Sequence, residues 1–277
     1  MNTENLYLNK NAPIVTCKLI GPSTINNSHN FGLANQMFQV ATCVSYAKKN
    51  NFLYSIPDLN DKKFGGYVKN IFKEINRFKV KNTLYEYFEP TFEYKEIPRF
   101  ENVRLNGYFQ SEKYFIDNKD IIYEYFQPTS IIDEYIEGKY SKILENSISC
   151  HIRLGDYKFL TKEHLNLLDS EYYLNAFEVL NAGEKNILIF SDEINFCKTL
   201  KIFNRPNVYF IENESDYLDM MIMSKCKENI IANSTFSWWS AWLNLNIEKK
   251  VIAPKSWFGV GKKLNTTDLY PENWIKI

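Results

Sequence analysis

Apolar positions along the chain recur at two spacings, one suited to strands and one to helices. The run IVTCKLI at 14–20 is continuous and short, closed by Gly21-Pro22, and predicts a β-strand. From Asn35 to Asn50 the apolar residues Met37, Val40, Ala41, Val44 and Ala47 keep helical spacing. Asn35 is the expected cap and Asn50-Asn51 the expected stop. FLYSIP at 52–57 again reads as a strand, so the chain opens β-α-β. That order predicts a parallel sheet with a crossover helix.

Residues 58–130 mix aromatic and charged positions without a clean period. Two similar stretches, YEYFEP (85–90) and YEYFQP (123–128), are one short duplication and are read as coincidence rather than a repeat. Pro128 to Glu137 is expected to hold a linker or the start of a connecting helix. The second half is regular. SISCHIR (147–153), NILIFSD (186–192), VYFIE (208–212), NIIA (229–232) and VIAP (251–254) predict strands. EYYLNAFEVL (171–180), YLDMMIMSKC (217–226) and STFSWWSAWLNL (234–245) predict helices between them. Strands alternating with helices describe a doubly wound α/β unit, whose ligand crevice lies at the carboxyl ends of the strands. Three polar clusters fall at those ends: His151/Arg153/Asp156, Ser191/Asp192 and Asn233/Ser234/Thr235.

Composition narrows the class. The chain has 277 residues, 45% of them apolar, enough for a sizeable core and near the length at which one core gives way to two domains. Lys and Arg number 33 against 33 Asp and Glu, which argues against a nucleic-acid binder with a basic surface. Five scattered cysteines form no C-x-x-C pair and an odd total, so neither a disulfide framework nor a zinc pattern is expected. No signal peptide and no membrane-spanning run are visible, so a cytoplasmic protein is expected, with peripheral membrane contact as the only membrane role. The 19 Tyr and 20 Phe fill a core or line a sugar-stacking surface; for any single Tyr, core filling is the simpler reading.

Arginine at the end of a buried strand, before the Leu154-Gly155-Asp156 turn, places a guanidinium in the crevice, where its fork matches phosphate oxygens. The alternative is a structural bridge between Arg153 and Asp156. Strand alternation puts His151 on the same face as Arg153 and turns position 154 away. Ser234-Thr235 at a helix start leaves backbone N–H groups for an anion, or is an ordinary cap. Trp238, Trp239 and Trp242 read as a packing face. Ser191-Asp192, and Asp216 and Asp219 ahead of a helix, offer partners for ribose or base N–H groups, or are routine turns and caps. The sequence contains no D-x-D metal handle, no cluster with metal-ligand spacing and no G-x-S-x-G. Its three histidines, His29, His151 and His164, suggest no hydrolase triad, and Gly259-x-Gly261-Lys262 lacks P-loop spacing.

CHIRLGDY (150–157) resembles the H-x-R-R-x-D motif of GDP-fucose-dependent transferases, and the whole chain resembles the α-1,2-fucosyltransferases of glycosyltransferase family 11. FGLANQMFQ (31–39) is similar to the family's GGLGNQMFQ. NGYFQSEKYF (106–115), IFSDE (189–193), MSKCKENIIANSTFSWWSAWL (223–243) and VIAPKSWF (251–258) follow in order. The resemblance implies an α/β fold of two facing Rossmann-like domains of the GT-B type, with parallel sheets and crossover helices. Residues 1–145 would be the acceptor-side domain and 146–277 the GDP-sugar-binding domain. It also implies inverting, metal-independent transfer of L-fucose from GDP-fucose, without a cofactor, to a galactose hydroxyl of an oligosaccharide or lipid-linked glycan. Carried onto this chain, Arg153 corresponds to the arginine on the donor β-phosphate and His151 to the residue near guanine or ribose. Asp219 corresponds to the carboxylate that reads guanine, and Ser234, Thr235 and Phe236 to the segment over the pyrophosphate. Ser191, Asp192 and Asn233 complete the expected donor site, Asn35 and Gln36 lie on the acceptor side, and Asp156 and His151 are the candidate bases. The chain departs from the pattern at Leu154, where the motif has a second arginine, and at Phe31 and Ala34, where glycines are common. Transfer of another GDP-linked deoxyhexose and non-catalytic glycan binding are the alternatives.

Overall fold

The computed structural model describes residues 12–20, 32–62, 64–81, 83–155 and 168–277. His29, Phe31, Asp156 and His164 therefore lie outside the described residues. The chain divides into two compact units, Met1–Gln127 with Asn265–Leu269, and Pro128–Leu264 with Tyr270–Ile277. The division falls at Gln127/Pro128 rather than at the expected 145. The reason is α3 (Ser130–Leu144), which belongs with the second unit. Its Tyr135, Lys139 and Tyr140 all bond to Glu214, and its Asp133 pairs with Lys225 at 2.6 Å.

The first unit is a four-stranded parallel sheet in the order β2-β1-β4-β3, with β1 Ile14–Cys17, β2 Leu53–Tyr54, β3 Tyr85–Phe88 and β4 Val103–Asn106. β1 and β2 are shorter than their apolar runs. Pro57, which has no N–H for a ladder, instead opens a 3₁₀ turn. Helix α1 (Leu33–Asn50) crosses between β1 and β2. Asn51 closes it with a left-handed φ of 57°, the conformation Asn tolerates best among side-chain-bearing residues. Asn35 does not cap α1. Gly32 holds that position, and Asn35 sits one turn in, accepting a 3.0 Å bond from Gln110. The two YEYF segments adopt different structures, which settles the question of a repeat. Residues 85–88 are β3, whereas 123–126 end helix α2 (Lys119–Phe126). In α2, Ile122 and Phe126 lie four apart and are both buried, so the packing face decides the conformation.

The second unit is a six-stranded parallel sheet in the order β10-β9-β8-β5-β6-β7. Its strands are β5 Ser147–Ile152, β6 Asn186–Ser191, β7 Val208–Phe210, β8 Glu228–Ile230, β9 Val251–Ala253 and β10 Ile275–Lys276. Read from the first strand outward, the chain runs β5-β6-β7 one way and β8-β9-β10 the other, which is the Rossmann order. Helices α4 (Ser170–Val179), α5 (Ile194–Cys197), α6 (Asp216–Lys225) and α7 (Thr235–Trp242) connect them. Every residue of β5 is buried, yet its sequence SISCHI alternates. Ile148, Cys150 and Ile152 share a core cluster with Tyr172, Tyr173, Ala176 and Phe177 of α4. On the other parity Ser149 accepts a 2.7 Å bond from Asn229, which also bonds to Met223 O of α6 and to Asn244. Trp238, Trp239 and Trp242 are buried and pack on each other, as a packing face requires.

Candidate functional site

The strand order places a topological switch between β5 and β8, where the chain leaves the sheet in opposite directions. In open α/β sheets that point opens a crevice at the carboxyl edge. β5 ends into His151, Arg153 and Gly155, and β8 ends into Asn233, Ser234 and α7. The two segments meet: the rings of His151 and Phe236 lie 5.5 Å apart and tilted by 50°.

Arg153 follows the last residue of β5, with its side chain about a third exposed. Its Nη1 pairs with Asp192 Oδ2 at 2.9 Å, and Asp192 Oδ1 accepts the Leu154 N–H at 3.0 Å. Asp192 lies at the end of β6, and Asp156, the partner envisaged from the sequence, lies outside the described residues. Asp192 holds both the guanidinium and the turn behind it. A Cβ on Gly155 would meet this carboxylate, so the glycine leaves Asp192 room to approach the turn after Arg153. This is a positioning duty that sequence reasoning did not assign to Asp192. Ser191 is likewise engaged locally, its Oγ accepting the Glu193 N–H at 3.0 Å.

His151 is 4% exposed, and its Nδ1 has no hydrogen-bond partner. Burial, reinforced by the Arg153 charge and opposed by Asp192, pushes its pKa down to about 3. The imidazole is therefore neutral and weakly basic. A general base works best with a pKa near the operating pH, so a neutral imidazole of low basicity suits His151 better to hydrogen bonding than to base duty. Leu154 stands where the family motif carries a second arginine. It is 6% exposed and belongs to the same core cluster as Ile148, Cys150 and Ile152. Alternation thus turns position 154 away from His151, as expected. Leu154→Arg should not increase activity. It should lower stability by about 2–3 kcal/mol or more, because it drives an unpaired guanidinium into an apolar cluster. Urea unfolding of the variant checks this.

Across the switch, Ser234 caps α7 by accepting the Phe236 N–H at 3.4 Å. The first amides of a helix have no partner within it, so the start of α7 is suited to an anion. Asn233 is buried and donates to Trp257 O at 2.9 Å, so its amide anchors the loop that leads into α7. Asp216 and Asp219 lie within the first turn of α6 rather than ahead of it, with Ser215 as the cap. Asp219 Oδ1 is buried without a partner. Burial, with the negative charges of Glu214 and Asp216, raises its pKa to about 7. Among the described residues no group of three His, Cys, Asp or Glu side chains converges as metal ligands. In the first unit, Asn35 and Gln36 fall in the first turn of α1, at the carboxyl edge of that sheet, and Gln36 is buried.

Known proteins share both the sequence and the fold. The α-1,2-colitosyltransferase of Escherichia coli is 39% identical over 184 residues, 64% of this chain and 63% of that protein. The O-antigen biosynthesis glycosyltransferase WbnK of Escherichia coli is 36% identical over 187 residues, covering 62% of this chain and 60% of that protein. The match thus spans about three-fifths of the length of each of these relatives. Fucosyltransferase NodZ from Bradyrhizobium superposes with a TM-score of 0.50 at 11% identity, over 83% of this chain and 92% of that one. A mutant of Arabidopsis thaliana FUT1 in complex with GDP gives 0.51 at 12% identity, over 90% of this chain and 72% of that one. These likenesses establish the α/β fold with its parallel sheets. The profile of glycosyl transferase family 11 matches residues 7–277, and the chain belongs to that family.

Proposed function

We propose that the protein transfers a deoxyhexosyl group, L-fucose in the first instance, from its GDP-linked donor to a galactoside hydroxyl, inverting the anomeric centre to give an α-1,2 linkage. The observation that carries this reading is the convergence of His151, Arg153 and the α7 N-terminus at the switch point of the six-stranded sheet. Departure of GDP builds negative charge on its β-phosphate while the sugar carbon becomes cationic. A guanidinium fixed by Asp192 and the first amides of α7 are suited to stabilise that charge. No metal is needed in this scheme, in keeping with the absence of a D-x-D from the sequence. His151, neutral, hydrogen-bonds the donor, and Asp219 receives guanine N–H groups. The acceptor is a galactose-containing oligosaccharide or lipid-linked glycan, held by the first unit with Asn35 and Gln36 at its edge. The reaction takes place in the cytosol or at the inner membrane face, where nucleotide sugars are available; no described helix is long and apolar enough to cross a membrane.

A colitosyl donor is the second reading, favoured by the 39% identity to a colitosyltransferase. A panel of GDP-deoxyhexoses, incubated with a galactoside library in EDTA, separates the two. The expected result is a product mass increased by one deoxyhexose, 2-linked, at a rate that EDTA leaves unchanged. Absence of turnover with every GDP-deoxyhexose, or loss of activity to the chelator, would contradict the proposal.

A further inference from the structure

At the carboxyl edge of the first unit's sheet, a loop after β4 adopts a specified and strained shape. β3 and β4 run parallel in register, Phe88 opposite Asn106, so Glu89 and Gly107 leave the sheet side by side. Glu89 Oε2 accepts the Tyr108 N–H at 2.7 Å, and both its oxygens accept the Phe109 N–H at 3.1 Å. Phe109 has a φ of 53°, a left-handed conformation that an aromatic residue adopts only when its surroundings impose it. Gly107 has no room for a side chain, since a Cβ would meet Glu89 and the Phe109 ring. Its carbonyl accepts a 2.9 Å bond from Gln39.

The consequence of this geometry is a division of labour between neighbours. Phe109 turns inward, 1% exposed and edge-on to Tyr114 at 5.2 Å. Tyr108 stays half-buried, and its hydroxyl bonds to no described residue. Two residues on in the chain, Gln110 donates to Asn35 Oδ1 at 3.0 Å, so two carboxamides are joined at the same edge of the sheet. A pyranose offers an apolar C–H face and a rim of hydroxyls; an aromatic ring with a free phenol, flanked by carboxamides, complements both.

We propose that Tyr108 is the aromatic that contacts the acceptor sugar, a β-galactoside, and that Glu89 is the positioning residue that presents it. The proposal rests on the transferase reading above and adds the residues that select the acceptor. Neither residue holds the donor, so the two halves of the reaction should separate on mutation.

Methyl β-D-galactopyranoside serves as the acceptor probe, and GDP-fucose hydrolysis with GDP calorimetry as the donor readouts. Tyr108→Ala should raise the acceptor KM about tenfold or more. The GDP Kd and the hydrolysis rate should stay within about twofold. Glu89→Gln should raise the acceptor KM by a smaller factor, since one acceptor oxygen remains. Adding Tyr108→Ala to it should then cost less than in the wild type. Saturation-transfer NMR of the glycoside gives a reading independent of turnover: signal in the wild type, lost in Tyr108→Ala. An unchanged acceptor KM in Tyr108→Ala, an equal loss of GDP affinity, or no saturation transfer to the wild type would each overturn the inference. Failure of the transferase reading shows elsewhere, as absence of turnover with every GDP-deoxyhexose while the glycoside still binds.

Discussion

Arg153→Ala should lower kcat/KM for GDP-fucose by roughly 10²–10³-fold, the cost of removing one charge-stabilising donor from a transition state. The fold should survive. The side chain is a third exposed and its partner Asp192 keeps the Leu154 N–H, so the stability change should stay within about 1 kcal/mol. Arg153→Lys should recover only part of the rate, because an ammonium cannot hold Asp192 and a phosphate with the same planar fork. The partition of the loss is informative. An arginine that acts on the departing diphosphate lowers kcat, whereas one that only pairs with Asp192 would mainly alter stability. Steady-state kinetics together with thermal denaturation distinguish these outcomes. Undiminished turnover in Arg153→Ala would remove the mechanism.

Asp219→Asn should stabilise the free protein and weaken GDP binding together. Burial, with Glu214 and Asp216 nearby, lifts the Asp219 carboxyl from its ordinary 3.8 to about 7. The folded state therefore holds this proton more tightly than the unfolded state does. Stability falls as pH rises from about 4 to about 7 and is then level, with about 4 kcal/mol as the upper bound from that gap. Asparagine has no proton to lose. Its advantage over Asp219 should vanish below about pH 4, grow through pH 5 and be largest at pH 8, where urea unfolding reads it directly. GDP binding should show the opposite sign. Guanine presents adjacent N–H donors that the unpartnered Oδ1 can accept, and the ionised carboxylate accepts best. At pH 7 GDP binding should release about half a proton from Asp219, measured by calorimetry in buffers of different ionisation enthalpy. A pH-independent stability difference, or GDP affinity unchanged by the substitution, would contradict this assignment.

Much of the second unit was legible because its strands and helices carry clean periods. β5, β6, α4, α6 and α7 all fall within a few residues of the positions their apolar patterns predict. The alternation in SISCHI was the most telling local signal. It fixes His151 on one face and Leu154 on the other, and so explains why a leucine can replace an arginine there. The first unit was less legible, for physical reasons. YEYF forms a strand at 85–88 and a helix at 123–126, so local sequence does not choose between them. β4 is four residues long, and β10 only two, too short for a period to appear. In the candidate site, sequence placed Arg153 and the α7 cap correctly on their elements. It could not show that Asp192, 39 residues on in the chain, is the group that holds Arg153. Contacts between strand ends depend on sheet order, which no single segment encodes. Glu89 was missed for the same reason: its importance comes from the amides of a loop that follows the neighbouring strand.

The proposed seat of the donor diphosphate is the carboxyl edge between β5 and β8. A crystal structure of the protein with GDP tests it most directly. The expected structure has the β-phosphate within hydrogen-bonding distance of the Arg153 guanidinium and of the first amides of α7. A diphosphate bound away from that edge, with the Arg153–Asp192 pair intact and no contact between Arg153 and the nucleotide, would contradict it.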